Sequence, residues 1–401
     1  MKYREWYRSG HNELHWNCSS RACGPWVRIP PAPPKNNDTG KKLVSLFFIT
    51  MKMGRNMNEE RIGKIQKPLV KWYQENKRIL PWREDKDPYK IWISEIMLQQ
   101  TRIEAVKSYY ARFMEELPTV KDLAEIPEEK LLKLWEGLGY YSRARNLKKA
   151  ARKIMDDYNQ KMPETYEELL NLPGIGAYTA GAIASIAYNE KIPAVDGNVL
   201  RVISRILGSK KDIMQEKTKK EVTEVLKKNM PEEAGDFNEG LMELGETICI
   251  PNGEPLCDKC PLKDHCVAQK ENLTLEIPVR ILKVKRKIEE RTVFLFTHSD
   301  EVAICKRKDT GLLAGMYEFP NILGVCSQEE IKKQLQKWKL VARQVNILPK
   351  AKHIFSHIEW NMVAYHIEVQ EKNTEFLWVK KEELKTIYAI PGAFEKYKNT
   401  L

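Results

Sequence analysis

Four cysteines, Cys249, Cys257, Cys260 and Cys266, stand within eighteen residues of a 401-residue chain, and no other feature limits its fold as sharply. Their spacing is Cys-x7-Cys-x2-Cys-x5-Cys, while Cys18, Cys23, Cys305 and Cys326 are scattered. The run from Leu43 to Met51 after Lys41-Lys42 has the hydropathy of an export signal. It lies deep in the chain and no small-residue cleavage pattern follows, so it is not read as one. A tight cysteine group without an export signal points to a metal or cluster site, not to a disulfide framework. Four thiolates suit either zinc or a [4Fe–4S] cluster. A compact, asymmetric all-cysteine spacing without paired Cys-x2-Cys knuckles favours iron–sulfur, with His265 as a solvated neighbour.

Texture divides the chain into four stretches. Residues 1–57 carry three tryptophans, the prolines Pro30, Pro31, Pro33 and Pro34, and no helical period. They read as an extension outside the fold, with Met51, Met53 and Met57 as alternative starts. Residues 58–274 read as helices joined by short turns, with apolar positions at helical spacing over 91–117, 121–135, 143–158, 165–171, 177–188, 197–207, 214–229 and 237–248. No strand-like alternation is sustained there, so this part is all-α. Residues 275–290, with Pro278 and Arg280, Lys283, Lys285, Arg286 and Lys287, read as a basic linker. In 291–401, β-branched and aromatic runs at Thr292–Thr297, Val302–Cys305 and Met362–Val369, with helical pieces at 328–338 and 380–386, predict an α+β unit.

Leu172-Pro-Gly-Ile-Gly176 followed by Ala177-Tyr-Thr-Ala-Gly181 closes one helix, turns on glycines and opens another. Gly174 and Gly176 permit positive φ and close backbone approach. The new helix offers unpaired N–H groups and a positive dipole end, which suit a phosphate. Such a contact grips a nucleic-acid backbone without reading sequence. Further on, Asp196 of Val195-Asp-Gly-Asn-Val-Leu-Arg201 stands where a helix begins. It suits an N-cap, and a capping carboxylate is also held rigid for catalysis.

Hairpin, aspartate and cysteine cluster in this order resemble the endonuclease III superfamily. Leu80-Pro-Trp-Arg83, Trp92-Ile-Ser-Glu-Ile-Met-Leu-Gln-Gln-Thr101 and Gly137-Leu-Gly-Tyr-Tyr-Ser-Arg-Ala-Arg-Asn-Leu147 narrow this to a resemblance to the adenine DNA glycosylases of the MutY family, covering nearly all of 58–401. The family usually has six residues between the first two cluster cysteines; this chain has seven, Ile250 to Leu256. The resemblance implies a multidomain protein: an all-α helix-hairpin-helix glycosylase domain with a [4Fe–4S] cluster held by Cys249, Cys257, Cys260 and Cys266, then an α+β Nudix-like domain. It implies base-excision repair, with hydrolytic removal of adenine mispaired with 8-oxoguanine or, more weakly, guanine. The partner would be double-stranded DNA, the enzyme a monomer, and the linker a place where other repair or replication proteins dock. The implied location is that of the chromosome: a bacterial cytoplasm and nucleoid, or a nucleus or mitochondrion.

Excision of adenine needs an acid at the flipped base and negative charge beside the sugar. Glu95, in the apolar stretch Ile93 to Leu98, is the expected acid, because burial raises a carboxyl's pKa. The resemblance assigns it protonation of N7, and gives Asp196 oxocarbenium stabilisation with Tyr178 and Asn198 in support. A lysine nucleophile of the lyase branch is replaced by Tyr178, so strand cleavage is not expected. The family pattern places Gln100, Tyr140 and Leu138 as side chains inserted into the duplex, and Arg83, Thr101 and Glu239 at the active site. Leu312 to Pro320 looks like a Nudix segment without the metal-binding box, so this domain should bind rather than hydrolyse. Phe355, Ser356 and His357 match the family's lesion-reading loop.

Composition adds two exclusions and one correction. With 42% hydrophobic residues and no apolar run near membrane-spanning length, neither an integral membrane helix nor a disordered chain is expected. Ten basic residues against three acidic ones give residues 1–57 a charge of +7, leaving +5 of the formal +12 to the rest. DNA contact is therefore expected from placed groups: the hairpin at 172–176, Arg143, Arg145 and the linker.

Overall fold

The structure, a computed structural model, describes residues 38–281 and 286–401, with side chains from Met57 onward. Most of the predicted N-terminal extension, and the centre of the predicted linker with Lys283 and Lys285, lie outside the described residues. Regular backbone nevertheless begins before residue 58, because the first helix, α1, spans Asp38–Asn76. The compact folded unit that carries every other element runs from Arg55 to Leu401.

After α1 come α2 (Pro88–Leu98), α3 (Ile103–Glu116), α4 (Val120–Glu125), α5 (Glu128–Leu134), α6 (Ser142–Asp157), α7 (Tyr166–Leu170), α8 (Ala177–Tyr188), α9 (Gly197–Leu207), α10 (Glu216–Lys227), α11 (Ala234–Thr247) and α12 (Val267–Lys270). Two expected single helices are each broken in two. Pro127 separates α4 from α5. The stretch predicted over 91–117 breaks at 99–102, where Gln100 takes φ 58°. Periodicity could not see that break, because the apolar spacing resumes in phase.

The helices enclose two cores. One gathers α2–α8, with Trp92, Phe113, Trp135 and Ile183 fully buried. The other joins the end of α1 to α9, α11 and the cysteine loop through Ile65, Leu69, Ile203, Phe237 and Leu241. The chain thus leaves the second core after α1 and returns to it at α9, more than a hundred residues later. The cleft between the cores brings α2 and α8 to face α9 and α11, and Met242 packs on both. Close helix approach is enforced at Gly245, where a Cβ would lie 2.7 Å from that of Asn198.

The C-terminal unit is built on a seven-stranded sheet: β1 (Lys287–His298), β2 (Glu301–Lys306), β3 (Tyr317–Glu318), β4 (Asn321–Leu323), β5 (Ala342–Ile354), β6 (Ile358–Val369) and β7 (Leu377–Lys380). The order is β3-β2-β1-β6-β5, with β4 on β1 and β7 on β2; β1 and β6 run parallel. Both faces are covered, which explains the continuous apolar runs. Val293 and Leu295 face Phe394 and Tyr397, while Phe294 and Phe296 face α13 (Gln328–Lys337). Two short helices, α14 (Glu383–Thr386) and α15 (Glu395–Lys398), end the chain. Strand β5 was missed by sequence reading because Pro349 interrupts it. It is an edge strand, and the proline falls in its register shift between Leu348 and Ala351.

The expected linker at 275–290 is shorter than composition suggested. Ile277 is buried in the second helical core, its carbonyl accepts from Arg205 Nε at 2.7 Å, and Val279 bridges to Asp212. Strand β1 begins at Lys287. The sheet unit packs on the helical part: Glu129 accepts from Lys306 Nζ at 2.9 Å and the Tyr317 hydroxyl at 3.0 Å. Glu136 accepts from the Ile390 N–H at 3.1 Å and from Lys398 Nζ at 2.9 Å.

Candidate active site

Glu95 projects from α2, a helix started by Asp87, whose carboxylate accepts from the N–H groups of Tyr89 and Lys90, and by Pro88 at its first position. Its side chain is 7% exposed. Burial pushes its pKa up to about 7, Glu239 and Asp196 push the same way, and the Tyr178 hydroxyl opposes them. That hydroxyl donates to Glu95 Oε2 at 2.7 Å and lies 3.2 Å from Met242 Sδ. Tyr178 belongs to the first turn of α8, so the hairpin that would hold a phosphate also sets the partner of the acid.

In the hairpin, Gly174 takes φ 80°, and a Cβ there would sit 2.6 Å from Asn146 Cβ, so no other residue fits without displacing α6. Gly176 caps α8 with extended backbone, has open space where a Cβ would be, and brings no capping side chain. The first N–H groups of α8 are left for an outside partner, as the motif predicts.

Asp196 caps α9 as expected: Oδ1 accepts from the Val199 N–H at 2.7 Å and Oδ2 from Asn198 Nδ2 at 2.9 Å. Asn198 is fixed in turn by Arg201 Nη2 at 2.8 Å from its Oδ1. The bonds alone would lower the aspartate's pKa. Burial outweighs them and the net direction is upward, opposite to what the cap by itself suggests.

Arg83 closes the cleft from the other side. Its Nε donates to Glu239 Oε1 at 2.9 Å and its Nη1 to Glu243 Oε2 at 2.9 Å. Burial raises the Glu239 carboxyl, while Arg83 partly offsets that rise. Glu243, 1% exposed, also receives Arg78 Nε; sequence reading missed it, since nothing in its local pattern separates it from a surface helix glutamate.

Gln100 and Tyr140 are both exposed, both non-glycine and both at positive φ, 58° and 47°. Tyr140 is 46% exposed. Leu138, expected beside them as a wedge, is buried at 6% in the first core, so its side chain is part of the floor and not of the probe. Thr101 supports the loop, its Oγ1 within 3.4 Å of Arg143 Nη2. Arg143 and Arg145 correct the expectation of phosphate-facing charge. Arg143 is 8% exposed and bonded inward, and Arg145 donates to Glu128 Oε1 at 2.7 Å and to the Ala314 carbonyl.

Phe355, Ser356 and His357 form the tip between β5 and β6, closed by the Phe355 N–H donating to Ile358 O at 2.8 Å. Phe355 is wedged between His353 and Trp360, with ring centroids at 4.6 and 4.9 Å. Ser356 and His357 are exposed, 3.4 Å apart from Oγ to Nδ1. The tip and the loop carrying Gly139 and Tyr140 line one crevice between the two units.

The four clustered cysteines form no disulfide and line one cavity with Val202, Leu244 and Ile248. Arg205 Nη1 donates to Cys249 Sγ at 3.2 Å. Burial holds the Cys257, Cys260 and Cys266 thiols above their ordinary range. Among the described residues, no three metal-ligating side chains are gathered as they would be round one ion. The seven residues between Cys249 and Cys257 form a surface loop that the Leu256 N–H closes onto Ile248 O at 3.0 Å, with Gly253 at φ 77°.

A buried carboxyl beside a glycine hairpin, joined to a sheet domain with an exposed polar tip, is the arrangement expected of a helix-hairpin-helix protein with a Nudix-type appendage. Comparison agrees: residues 93–232 match the HhH-GPD superfamily of base excision DNA repair proteins, and residues 292–400 match the NUDIX domain. The chain is 34% identical over 362 residues to the adenine DNA glycosylase of Mus musculus, covering 76% of this chain and 70% of that one. It is 33% identical to the human enzyme over 395 residues, 82% of this chain and 72% of that one. It is also 33% identical to that of Buchnera aphidicola subsp. Baizongia pistaciae (strain Bp), covering 77% of this chain and 89% of the relative. The chain belongs to the adenine DNA glycosylase family.

Proposed function

We propose that this enzyme excises adenine from DNA where adenine lies opposite 8-oxoguanine, and more slowly opposite guanine. The observation that carries the reading is the Glu95 carboxyl, buried and poised near pH 7 against the Tyr178 hydroxyl. A flipped adenine leaves poorly unless protonated, and an acid whose pKa lies near the working pH is the efficient donor. Glu95 delivers its proton to N7. As the C1′–N9 bond breaks, the electron pair leaves with the base and positive charge develops on the sugar. Asp196, fixed by the Val199 N–H and Asn198, stabilises that cation or traps it before water completes the hydrolysis. Arg83 and Glu239, already paired, hold the adenine edge. Tyr178 carries no amine, so the sugar is not captured as a Schiff base and the strand stays intact.

The hairpin glycines hold the backbone, Gln100 and Tyr140 enter the stack, and Ser356 with His357 reads the opposite base. Cys249, Cys257, Cys260 and Cys266 would hold a [4Fe–4S] cluster: the donor set is all sulfur, the wall is apolar and Arg205 would supply positive charge beside one thiolate. Bound there, such a cluster would tie the loop after α11 to the second helical core. The enzyme works where chromosomal DNA lies, in nucleus, mitochondrion or nucleoid.

The test is incubation with duplexes bearing 8-oxoguanine:A, G:A, G:T or thymine glycol, followed by alkali. Product from the first at the highest rate is expected. No product from it ends this reading. Nicking without alkali, trapped by borohydride, would assign the chain to the lyase branch.

A further inference from the structure

Among the described residues, Arg143 is the one buried cation of the helical domain that bonds to both loops with a positive-φ, non-glycine residue in the cleft. It leaves the first turn of α6 and is 8% exposed. Its Nη1 donates to the carbonyls of Ile96 at 2.7 Å, Met97 at 3.0 Å and Gln99 at 2.7 Å. Its Nη2 donates to those of Leu138 at 3.0 Å and Gly139 at 3.1 Å. The first set is the C-terminal end of α2, the helix of Glu95, where orphan carbonyls and the negative end of the dipole favour a cation. The second set is the turn that presents Tyr140. The guanidinium also lies over the Trp135 and Tyr140 rings, at 5.3 and 5.5 Å.

Carbonyl dipoles, two aromatic faces and the Tyr140 side chain are what meet this charge, and its Nε is buried without a partner. Burial pulls the Arg143 pKa down to about 10, and no carboxylate acts against it. Burying an unpaired cation costs stability unless its bonds satisfy it. What the chain gains is geometric. Gln100 and Tyr140 each sit at positive φ, an unfavourable conformation for a non-glycine residue that persists only where surroundings impose it. A planar fork can span two loops at fixed separation, whereas a lysine gathers its three donors on one flexible atom.

We propose that Arg143 is a positioning residue for base extrusion: it sets the spacing of Gln100 and Tyr140, the pair that enters the duplex, and anchors them to the helix that carries Glu95. It touches neither DNA nor the reacting base. The inference rests on the insertion role given to that pair above.

The test follows extrusion by stopped-flow fluorescence of 2-aminopurine placed at the adenine position opposite 8-oxoguanine, using the full chain. Lys148 is the control. It is a buried cation on the same helix, 7% exposed, that donates to Ile126 O and meets neither loop. Arg143→Lys should slow extrusion about tenfold while leaving the pH midpoint of single-turnover excision in place. Lys148→Met should lower the melting temperature by as much or more without slowing extrusion. In a Tyr140→Ala background the effect of Arg143→Lys should shrink to about twofold or less, as expected for groups acting as one unit. Arg143→Gln is read in the same way if the lysine variant does not fold. Wild-type extrusion speed in the Arg143 variants, equal slowing by Lys148→Met, or a full effect in the Tyr140→Ala background overturns the proposal. No fluorescence change with the wild-type enzyme would instead sink the proposed function.

Discussion

Glu95 and His357 stand at opposite extremes of solvent access. The first is enclosed, bonded to a tyrosine and surrounded by two other carboxyls, so its protonation is set by the protein. The second lies on an exposed hairpin tip with a single long contact to Ser356. The acid needs no partner to reach its working state, because burial and fixed neighbours define it. The tip has a fixed backbone and a braced Phe355, and on the proposed function its exposed polar groups would find their bonds in the bound duplex. On the proposed function, chemistry is preorganised and recognition is completed on contact.

The sharpest attempt to break this contrast is Glu95→Gln. Loss of a general acid should lower single-turnover excision by about 10²–10⁴-fold with binding retained, measured by product formation and by band shift. A variant as fast as wild type would mean that the enclosed carboxyl is not the acid. The pH profile comes next. With a midpoint of about 7, the protonated form dominates below it, so excision should fall about tenfold per unit above that midpoint.

Linkage makes a companion prediction. Folding favours protonated Glu95, so its contribution is intact below the ordinary pKa of 4.5 and is lost as pH rises towards 7. Glu95→Gln should therefore melt higher than wild type at pH 8, and the difference should vanish near pH 4.5. Equal melting at both pH values would contradict the burial argument.

At the other extreme, His357→Ala should cut the preference for 8-oxoguanine:A over G:A by about tenfold, the value of one good base contact, and leave the pH midpoint unmoved. A moved midpoint would show that the tip and the acid are not separable. The smallest effect is expected from Tyr178→Phe. Removing a donor that favours the carboxylate should raise the midpoint and, by keeping more Glu95 protonated, speed excision about twofold to fivefold at pH 8.

The motifs from Leu80 to Cys266 and the apolar periods told most of the helical domain and the identity of Glu95, Tyr178 and Asp196. Burial was misread wherever a charged or apolar side chain had two plausible homes. Arg143 and Arg145 looked like phosphate contacts and are bonded inward; Leu138 looked like a wedge and is core. Strand β5 went unseen because a proline is permitted at an edge-strand bulge, and edge position is not a local property. The break at Gln100 was hidden by apolar spacing that continues through it.

What the sequence alone determined is the inventory: which residues are acids, which turns need glycine, and which cysteines stand close along the chain. Those follow from local chemistry and spacing. The tertiary structure decided what each inventory member does. Glu95 is an acid near pH 7 because two helical cores close over it, and Asp196 moves upward despite its cap for the same reason. A pKa, a strained φ or a buried guanidinium depends on neighbours brought from far along the chain, here α9 and α11 folding back against α2 and α8.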